Sequence, residues 1–307
     1  MTADILTLVL VWIFAALANA TPLIFVTLGE TLTQRTGVIN LGVEGEMLVG
    51  ACFGFGVAAH TGSPWLGLAA GAACGAGLSL VHAFVVLGAQ ANQIASGIAV
   101  WMLGLGITSY AGRAFVGGNV TALPRPDTAA LREVSVIGPA LAQIGLLAVF
   151  ALVAIWFATW WLARTRTGLA WRAVGESAEI ARENGLSPTR ARFFAIVTGG
   201  ALAGFGGAGL SIDYTQTWAQ EITKGQGLIA VGLVIVARWQ PALVLPVCVI
   251  FGLAETAASR LPASGIEMSS YLLSAFPYLS VLAVIVLSHI LSPVRSAMPS
   301  DLRAVFR

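Results

Sequence analysis

Residues Arg164–Phe194 read RTRTGLAWRAVGESAEIARENGLSPTRARFF, which is the longest polar stretch in an otherwise apolar chain. The stretch holds six of the fifteen arginines. Apolar segments long enough to cross a bilayer lie on either side of it. It therefore predicts a basic, helix-patterned loop at one membrane surface, between two groups of membrane spans.

The composition places the chain in the membrane. Of 307 residues, 57% are hydrophobic and 10% are charged, and the mean hydropathy is +0.87. Soluble domains carry about 25% charged residues. We expect an all-α polytopic membrane protein, with residues 1–307 forming one transmembrane domain and residues 164–192 a loop within it. The first residues contain no basic region, and Asp4 is acidic, so we expect no cleaved signal peptide.

The apolar segments predict about nine transmembrane helices, with eight to ten as the range, since about 20 apolar residues cross the hydrocarbon core. Thr21-Pro22 predicts a kink or break in the first. The seventh makes only about 15 Å of helix, so we expect it to be tilted, extended by Gln226-Gly227, or re-entrant. The nine segments are Ile5–Thr33, Leu41–Ala59, Trp65–Leu87, Ile94–Arg113, Ile137–Ala163, Phe193–Ile212, Leu228–Ala237, Leu243–Ala258 and Tyr271–Leu291.

The distribution of basic residues predicts the orientation, because Lys and Arg are retained on the cytoplasmic side. With residues 164–192 inside, eleven basic residues lie inside and five outside. The N-terminus is then expected outside and the C-terminus inside. The connection Gly117–Val136 is expected outside, either as an inert loop or as a contact for an external partner.

Glycines recur at four-residue spacing within the predicted spans. Small residues at this spacing let helix backbones approach closely. Packing within the chain is favoured over a dimer interface. The glycines concerned are Gly67, Gly71 and Gly75 in the third span, Gly50 and Gly54 in the second, and Gly200 and Gly204 in the sixth.

The sequence lacks the motifs of catalysis. There is no GxxxxGK[ST] loop, no GxSxG and no evident acid/base pair of carboxylates, and the single lysine, Lys224, lies in TKGQG. The histidines have no metal-ligand spacing, and the cysteines fall in apolar segments. We expect no enzymatic activity, no metal and no cofactor in this chain.

The polar stretch contains the capping and terminating residues of two short helices. We expect the first over Gly168–Val174, broken at Gly175, and the second over Ala178–Asn184, capped by Ser177 and ended by Gly185. Ser187-Pro188 then opens the next membrane span. A short helix held across the membrane surface suits a groove on a soluble partner that supplies energy, whereas an ordinary surface helix is the alternative.

Two further stretches place polar groups at the start of spans. RTGVINLGVEGEML, residues 35–48, carries Asn40, Glu44 and Glu46, which are either functional at membrane depth or solvated at the interface. Asn92, Gln93 and Ser96 open the fourth span, where they either cap the helix or line a path for a neutral solute. Trp101 and Trp218 are expected to anchor the protein at the membrane interface, with stacking on a planar solute as the alternative.

These motifs resemble a known family. The segment GLAWRAVGESAEIARENGLSPTRARFFAIVTGGALAGFGGAG is similar to the coupling loop of ABC importer permeases of the branched-chain amino acid, ribose and nucleoside type. RTGVINLGVEGEMLVGA, ANQIASGIAVWMLGLGITSY and KGQGLIAVGLVIVARWQP resemble the shorter permease of nucleoside systems that depend on a basic membrane protein. The resemblance covers about residues 5–292. One departure is Ser177-Ala178, where the family often has Asn-Pro.

The resemblance implies a type II importer fold in the bacterial inner membrane, with uptake of nucleosides or related purine and pyrimidine compounds. It implies a second homologous permease subunit, ABC ATPase subunits that bind the ATP, and an external substrate-binding protein or lipoprotein. Its ATPase-coupling residues would be Arg172, Ala173, Gly175, Glu176, Glu179 and Gly185. The candidates for the substrate path are Asn40, Glu44, Asn92, Gln93, Ser96 and Trp101.

Three alternatives stay open from the sequence. The scarcity of charge in the spans also suits a simple sugar as the solute. An autonomous ion-coupled transporter would need a carboxylate inside the bundle, for which Glu44 and Glu255 are the candidates. A structural membrane subunit without a solute path is the third.

Overall fold

The structure is a computed structural model that describes residues 2–125, 141, 143–262, 269–291 and 298–305. Helices form nearly all of its regular structure, and none of the residues described belongs to a β-strand. One isolated bridge pairs Asn119 with Thr217. The all-helical prediction is confirmed.

Twelve α-helices follow one another along the described ranges. A π-helical turn, Phe84–Gly88, extends α3, a 3-10 turn, Gly112–Phe115, extends α4, and a π-helical turn, Leu210–Tyr214, extends α8. The helices are α1 Thr2–Gln34, α2 Val43–Thr61, α3 Pro64–Ala83, α4 Gln93–Ala111, α5 Leu146–Arg164, α6 Arg166–Glu176, α7 Ala178–Glu183, α8 Pro188–Gly209, α9 Gln226–Val236, α10 Pro241–Arg260, α11 Ser270–Leu291 and α12 Ser300–Val305.

Six of these helices are long and apolar enough to cross a membrane: α1, α3, α4, α5, α8 and α10, counted over the described residues. Two shorter apolar helices, α9 and the part of α11 from Tyr271 to Leu287, add to them. Helix α2 has 19 residues and begins with two carboxylates, and most of its length is buried by the other helices. The coarse prediction of a multi-pass helical membrane protein is therefore confirmed.

The centre of the fold is a three-helix unit of α2, α3 and α8, which we call the glycine centre. A β-carbon built on Gly75 of α3 would lie 2.7 Å from the Cα atom of Gly204 in α8. One built on Gly71 would lie 2.9 Å from the carbonyl oxygens of both Gly204 and Gly50 of α2. These backbones touch because no side chain stands between them. Packing within the chain, predicted from the four-residue glycine spacing, is confirmed.

Helix α1 runs alongside this centre and continues through Pro22 without interruption. Of the expected kink or break at Thr21-Pro22, the break is therefore wrong, and the kink stays a prediction. Proline lacks the amide hydrogen of an ordinary helical residue, yet the preceding Thr21 hydroxyl donates to the Leu17 carbonyl at 2.8 Å. Asn19, one turn further out, donates to the Thr256 hydroxyl of α10 at 2.9 Å. The Thr21 bond within the helix and the tertiary Asn19 bond together support the helix where proline weakens it.

The seventh predicted span is a short helix preceded by irregular backbone. Helix α9 starts at Gln226, as the predicted extension requires, and spans only about 17 Å at 1.5 Å per residue. Between α8 and α9 the chain has no regular helix, and Gln216, Glu221 and Lys224 have positive φ angles. The chain reaches the start of α9 through an extended, turn-rich stretch.

Two predictions fall partly outside the described residues. The beginning of the fifth span, predicted at Ile137, lies there, and α5 is described from Leu146. Most of the expected external connection, Gly117–Val136, also extends beyond the described residues, of which Arg125 is the last before the gap.

Candidate functional site

The basic segment, residues 164–192, folds as two short helices joined at a serine. Thr165 caps α6 by accepting a hydrogen bond from the Gly168 amide at 3.0 Å. The Ser177 hydroxyl accepts from the Ile180 amide at 3.2 Å and so caps α7. Ser187 accepts from the Arg190 amide at 3.4 Å, with Pro188 as the first residue of α8. Hydroxyl groups therefore cap three successive helices, α6, α7 and α8. The caps of α7 and α8 are the two that the sequence predicts.

Gly175 does not break the first helix, as the sequence had suggested. It lies inside α6, which ends one residue later because Ser177 adopts an extended backbone conformation. A β-carbon on Gly175 would overlap the carbonyl oxygen of Arg35. Glycine is therefore needed here for close approach to the chain leaving α1. Gly185 does act as predicted, with φ +79° directly after α7.

Most of the proposed coupling residues lie on the outside of the segment. Arg172, Ala173, Glu176, Glu179 and Gly185 are exposed, and Gly175 is buried. Two apolar side chains share this exposure, Ile180 at 60% and Leu169 at 48%. In contrast, Trp171 points inward and packs edge-to-face on Trp161 of α5, with ring centroids 4.7 Å apart. The segment is thus anchored by one face and open on the other.

Beneath the segment, the chain between α1 and α2 carries a buried polar network. The Asn40 side-chain amide donates to Glu46 at 2.8 Å, and its carbonyl oxygen accepts from the Gly42 amide at 2.9 Å. Glu30 of α1 accepts from the Asn40 backbone amide at 3.1 Å and from Gln34 at 2.8 Å. Asn40 therefore links the acidic side chain of Glu30 in α1 to that of Glu46 at the start of α2.

A second set of bonds joins the end of α1 to the end of α9. The Trp239 indole donates to the Gln34 side-chain carbonyl at 2.7 Å, and Arg35 donates to the Trp239 backbone carbonyl at 2.6 Å. Burial lowers the pKa of Arg35 from its ordinary value, the charge of Arg172 acts in the same direction, and Glu176 opposes it. The arginine is held as a structural donor between the segment and the core.

The polar residues at the start of α4 also form hydrogen bonds within the protein. The Gln93 carbonyl accepts from the Ile39 amide at 2.9 Å. Ser96 lies 3.1 Å from one ring nitrogen of His82, whose other nitrogen lies 3.2 Å from the Ile39 carbonyl oxygen. Asn92 caps α4 by accepting from two backbone amides, as the capping interpretation predicts.

Glu44 is a buried bridge between α2 and α9. Its carboxylate accepts from the Thr223 hydroxyl at 2.5 Å and from the amides of Gly225 and Gly227, at 3.0 and 2.6 Å. A β-carbon on Gly227 would meet the Glu44 backbone, so glycine lets the two elements touch. The interpretation of Glu44 as a solvated interfacial residue is wrong, because the side chain is 3% exposed.

Several residues of this network were missed from the sequence. Glu30, an acidic residue within an apolar span, was the one with a visible signal, since such residues are costly and rarely incidental. His82, Thr223 and Trp239 gave none, because each becomes informative only through a partner distant along the chain. Of the other path candidates, Trp101 is half-buried on α4.

These features define a class: a multi-pass helical membrane protein with a glycine-packed centre and an exposed two-helix segment at one surface. Residues 12–290 match the family described as branched-chain amino acid transport system / permease component. The chain belongs to this family.

Individual relatives agree with the family. The chain is 36% identical to the TsgC13 permease of Haloferax volcanii, whose name assigns it provisionally to glucose ABC transport, over 94% of both chains. It is 30% identical to the guanosine ABC transporter permease protein NupQ of Bacillus subtilis, over 92% of this chain and 93% of that one. It is 28% identical to the nucleoside ABC transporter permease protein NupC of Lactococcus lactis, over 83% and 87%. No solved structure matches.

The chain is therefore the permease subunit of an ABC importer, a multi-pass protein of the bacterial inner membrane. Such a subunit works with an ATPase and a substrate-binding partner. The family is a transport component rather than an enzyme. Family membership decides against both the autonomous ion-coupled transporter and the structural subunit without a solute path.

Proposed function

We propose that this permease takes up nucleosides or related purine and pyrimidine compounds, driven by ATP hydrolysis in a separate subunit. Two relatives named for guanosine and nucleoside transport support this, each over more than four fifths of the chain. The scarcity of charge in the spans suits a neutral, polar solute. A simple sugar is the second candidate, because TsgC13 carries glucose in its name.

Uptake by the reconstituted importer separates the two solutes. Proteoliposomes that hold this permease with its ATPase and binding protein are given radiolabelled guanosine or radiolabelled glucose. Accumulation of guanosine that depends on ATP, and that unlabelled glucose does not compete away, supports nucleoside import. The reverse competition pattern would transfer the assignment to sugars.

The proposed topology has nine spans, with the N-terminus outside and the C-terminus inside. The six long helices, together with α2, α9 and α11, make nine. Single cysteines placed at exposed Gly62 and Gly185 would then label from opposite sides with a membrane-impermeant thiol reagent. Labelling of both from the same side contradicts the topology.

We propose that the basic segment docks on the ATPase through its exposed face. The observation that carries this is Ile180, an aliphatic side chain that is 60% exposed on a six-residue helix that also contains Glu179 and Arg182. Apolar side chains on a short amphipathic helix are suited to a groove on a soluble partner. By the same reasoning, Arg172, Ala173, Glu176 and Glu179 form the rim of the contact.

Replacing Ile180 with aspartate tests the docking. Placing a charge in an apolar contact is expected to weaken copurification of the ATPase by at least about tenfold, equivalent to about 1.4 kcal/mol. Val116→Asp is the matched control, since Val116 is similarly exposed at 65% and lies at the other end of the molecule. Equal ATPase recovery with both variants would remove the docking proposal.

The solute path remains a proposal for its six candidate residues. Asn40, Glu44 and Gln93 hold the backbone at the start of α2, α4 and α9, so we assign them an indirect role in shaping the path. Trp101, half-buried on α4, is the candidate for direct contact. Trp101→Phe should raise the KM for guanosine while the amount of assembled importer is unchanged.

A further inference from the structure

The last helix of the chain, α12, lies against the basic segment although it follows that segment by more than a hundred residues. Asp301 forms an ion pair with Arg192 at 2.5 Å. The same carboxylate oxygen accepts a hydrogen bond from the backbone amide of Ala178, the first residue of α7, at 3.3 Å. The neighbouring Ser300 hydroxyl donates to Glu176, the last residue of α6, at 3.1 Å.

The opposite side of α12 is anchored in the body of the protein. Leu302 is 1% exposed and belongs to an apolar cluster with Ile39, Val234 and Trp239. These three residues lie in the α1–α2 connection, near the end of α9 and directly after it. One short helix therefore touches the basic segment with its polar side chains and the core with its leucine.

Arg192 connects the two sets of contacts. Its Nε atom donates to the Thr36 carbonyl at 3.1 Å, while its Nη2 atom binds Asp301. The Arg192 and Asp301 side chains are 22% and 29% exposed, so water screens their attraction only in part. The arginine thus ties α12, the start of α8 and the α1–α2 connection together at one point.

Helix α7 needs such outside support. It has six residues, and isolated helices shorter than about 12–15 residues are marginal in water. Ser177 precedes it and Gly185, in the left-handed conformation, follows it, so neither neighbour continues its direction. Asp301 supplies an acceptor to its first amide from a different part of the chain.

We propose that α12 is a clamp that fixes the orientation of the basic segment, with Asp301 as the positioning residue. The inference rests on the proposed docking of that segment on the ATPase. Movement of the segment would then pass through Arg192 and Leu302 to the buried polar network around Asn40. Without the clamp, α7 would change its orientation about Ser177 and Gly185. Nucleotide-driven movement of the ATPase would then not be transmitted to the membrane helices.

The test compares Asp301→Ala with Arg303→Gln, which removes a charge from the same helix but keeps a side-chain donor, since Arg303 donates to the Met298 carbonyl at 3.4 Å. In the reconstituted importer, D301A is expected to lower ATP-driven guanosine uptake at least about fivefold, which is the lower end of typical coupling effects. ATP hydrolysis and ATPase copurification should both stay within about twofold of the original protein. R303Q should keep all three. In a double-mutant cycle, the loss in R192A/D301A should be smaller than the sum of the losses in R192A and D301A, because the two residues share the ion pair.

Hydrogen exchange gives a readout that does not depend on transport. In D301A, the amides of residues 178–183 should exchange faster while those of α3 keep their rate. Unchanged exchange in α7, or uptake by D301A equal to that of R303Q, would overturn the clamp. If D301A does not accumulate in membranes, Asp301→Leu decides in its place, because it keeps a similar size but removes both the charge and the acceptor. Failure of the original importer to copurify an ATPase would instead overturn the docking proposal, and the exchange result would still judge the clamp.

Discussion

The glycine centre and the polar network around Asn40 both hold α2 to neighbouring helices, but by opposite means. In the centre, α2, α3 and α8 touch backbone to backbone, and each contact point belongs to a spacing visible within one helix. The network around Asn40 works through side-chain hydrogen bonds, and bonds such as that of Trp239 to Gln34, 205 residues apart, tie it to distant parts of the chain. The centre therefore tolerates no added atoms, whereas the network tolerates changes of size better than the loss of a donor or acceptor.

The largest expected effect comes from adding a side chain in the centre. In Gly75→Val, the new β-carbon would meet the Gly204 backbone, which cannot move aside as a flexible side chain can. Overpacking typically costs about 1–3 kcal/mol and more where backbone must shift. We expect little folded protein, measured as the monodisperse fraction after detergent extraction.

Gly77→Val is the matched control for this substitution. Gly77 lies on the same helix, two residues on, and a β-carbon there would have no neighbour within 4 Å. It should be recovered at close to the level of the original protein. Equal recovery of the two variants would contradict the account of the centre as backbone-to-backbone packing.

A smaller effect is expected from Glu44, where the network holds α9 to α2. Glu44→Ala leaves the buried amides of Gly225 and Gly227 without their acceptor, at about 1–3 kcal/mol for each unsatisfied group. The apparent Tm of the purified protein should fall by several degrees. Thr223→Val, which removes one donor and keeps the carboxylate, should lower it less. A Tm of E44A at or above that of T223V would show that the bridge contributes little.

The smallest effect is expected at a helix cap. Ser177→Ala removes the acceptor for the Ile180 amide, and such losses cost about 0.5–2 kcal/mol. Because α7 is short, the change should appear as faster hydrogen exchange in residues 178–183 with little shift of the global Tm. Ser177→Asp keeps a capping oxygen and should restore slow exchange. Persistently fast exchange in S177D would mean that the cap is not what orders α7.

The two regions also explain what the sequence could and could not predict. Ser177, Gly185 and Ser187-Pro188 were assigned correctly because a cap acts on amides within three residues. The glycine spacing likewise predicted close packing, since it is a property of one helix at a time. The family resemblance rested on these local motifs together.

The errors have a common physical cause, which is a partner distant in the chain. The sequence leaves Glu44 open between function and solvation, because its partner Thr223 lies 179 residues away. It predicts a helix break at Gly175, because the contact of Gly175 with Arg35 is tertiary. It predicts a kink or break at Pro22, although α1 continues through this residue. The contact of Asp301 with Arg192 had no local signal.

The glycine centre also constrains how the protein can move. Helices that interdigitate through long side chains can shift past one another by exchanging rotamers, but glycine has no rotamers to exchange. Because of Gly50, Gly71 and Gly204, helices α2, α3 and α8 therefore have no alternative set of side-chain contacts to adopt. During a transport cycle, these three helices should keep their mutual distances and act as a fulcrum. The displacement would then be taken up at the rim, where α4 and α11 present exposed, less tightly packed surfaces.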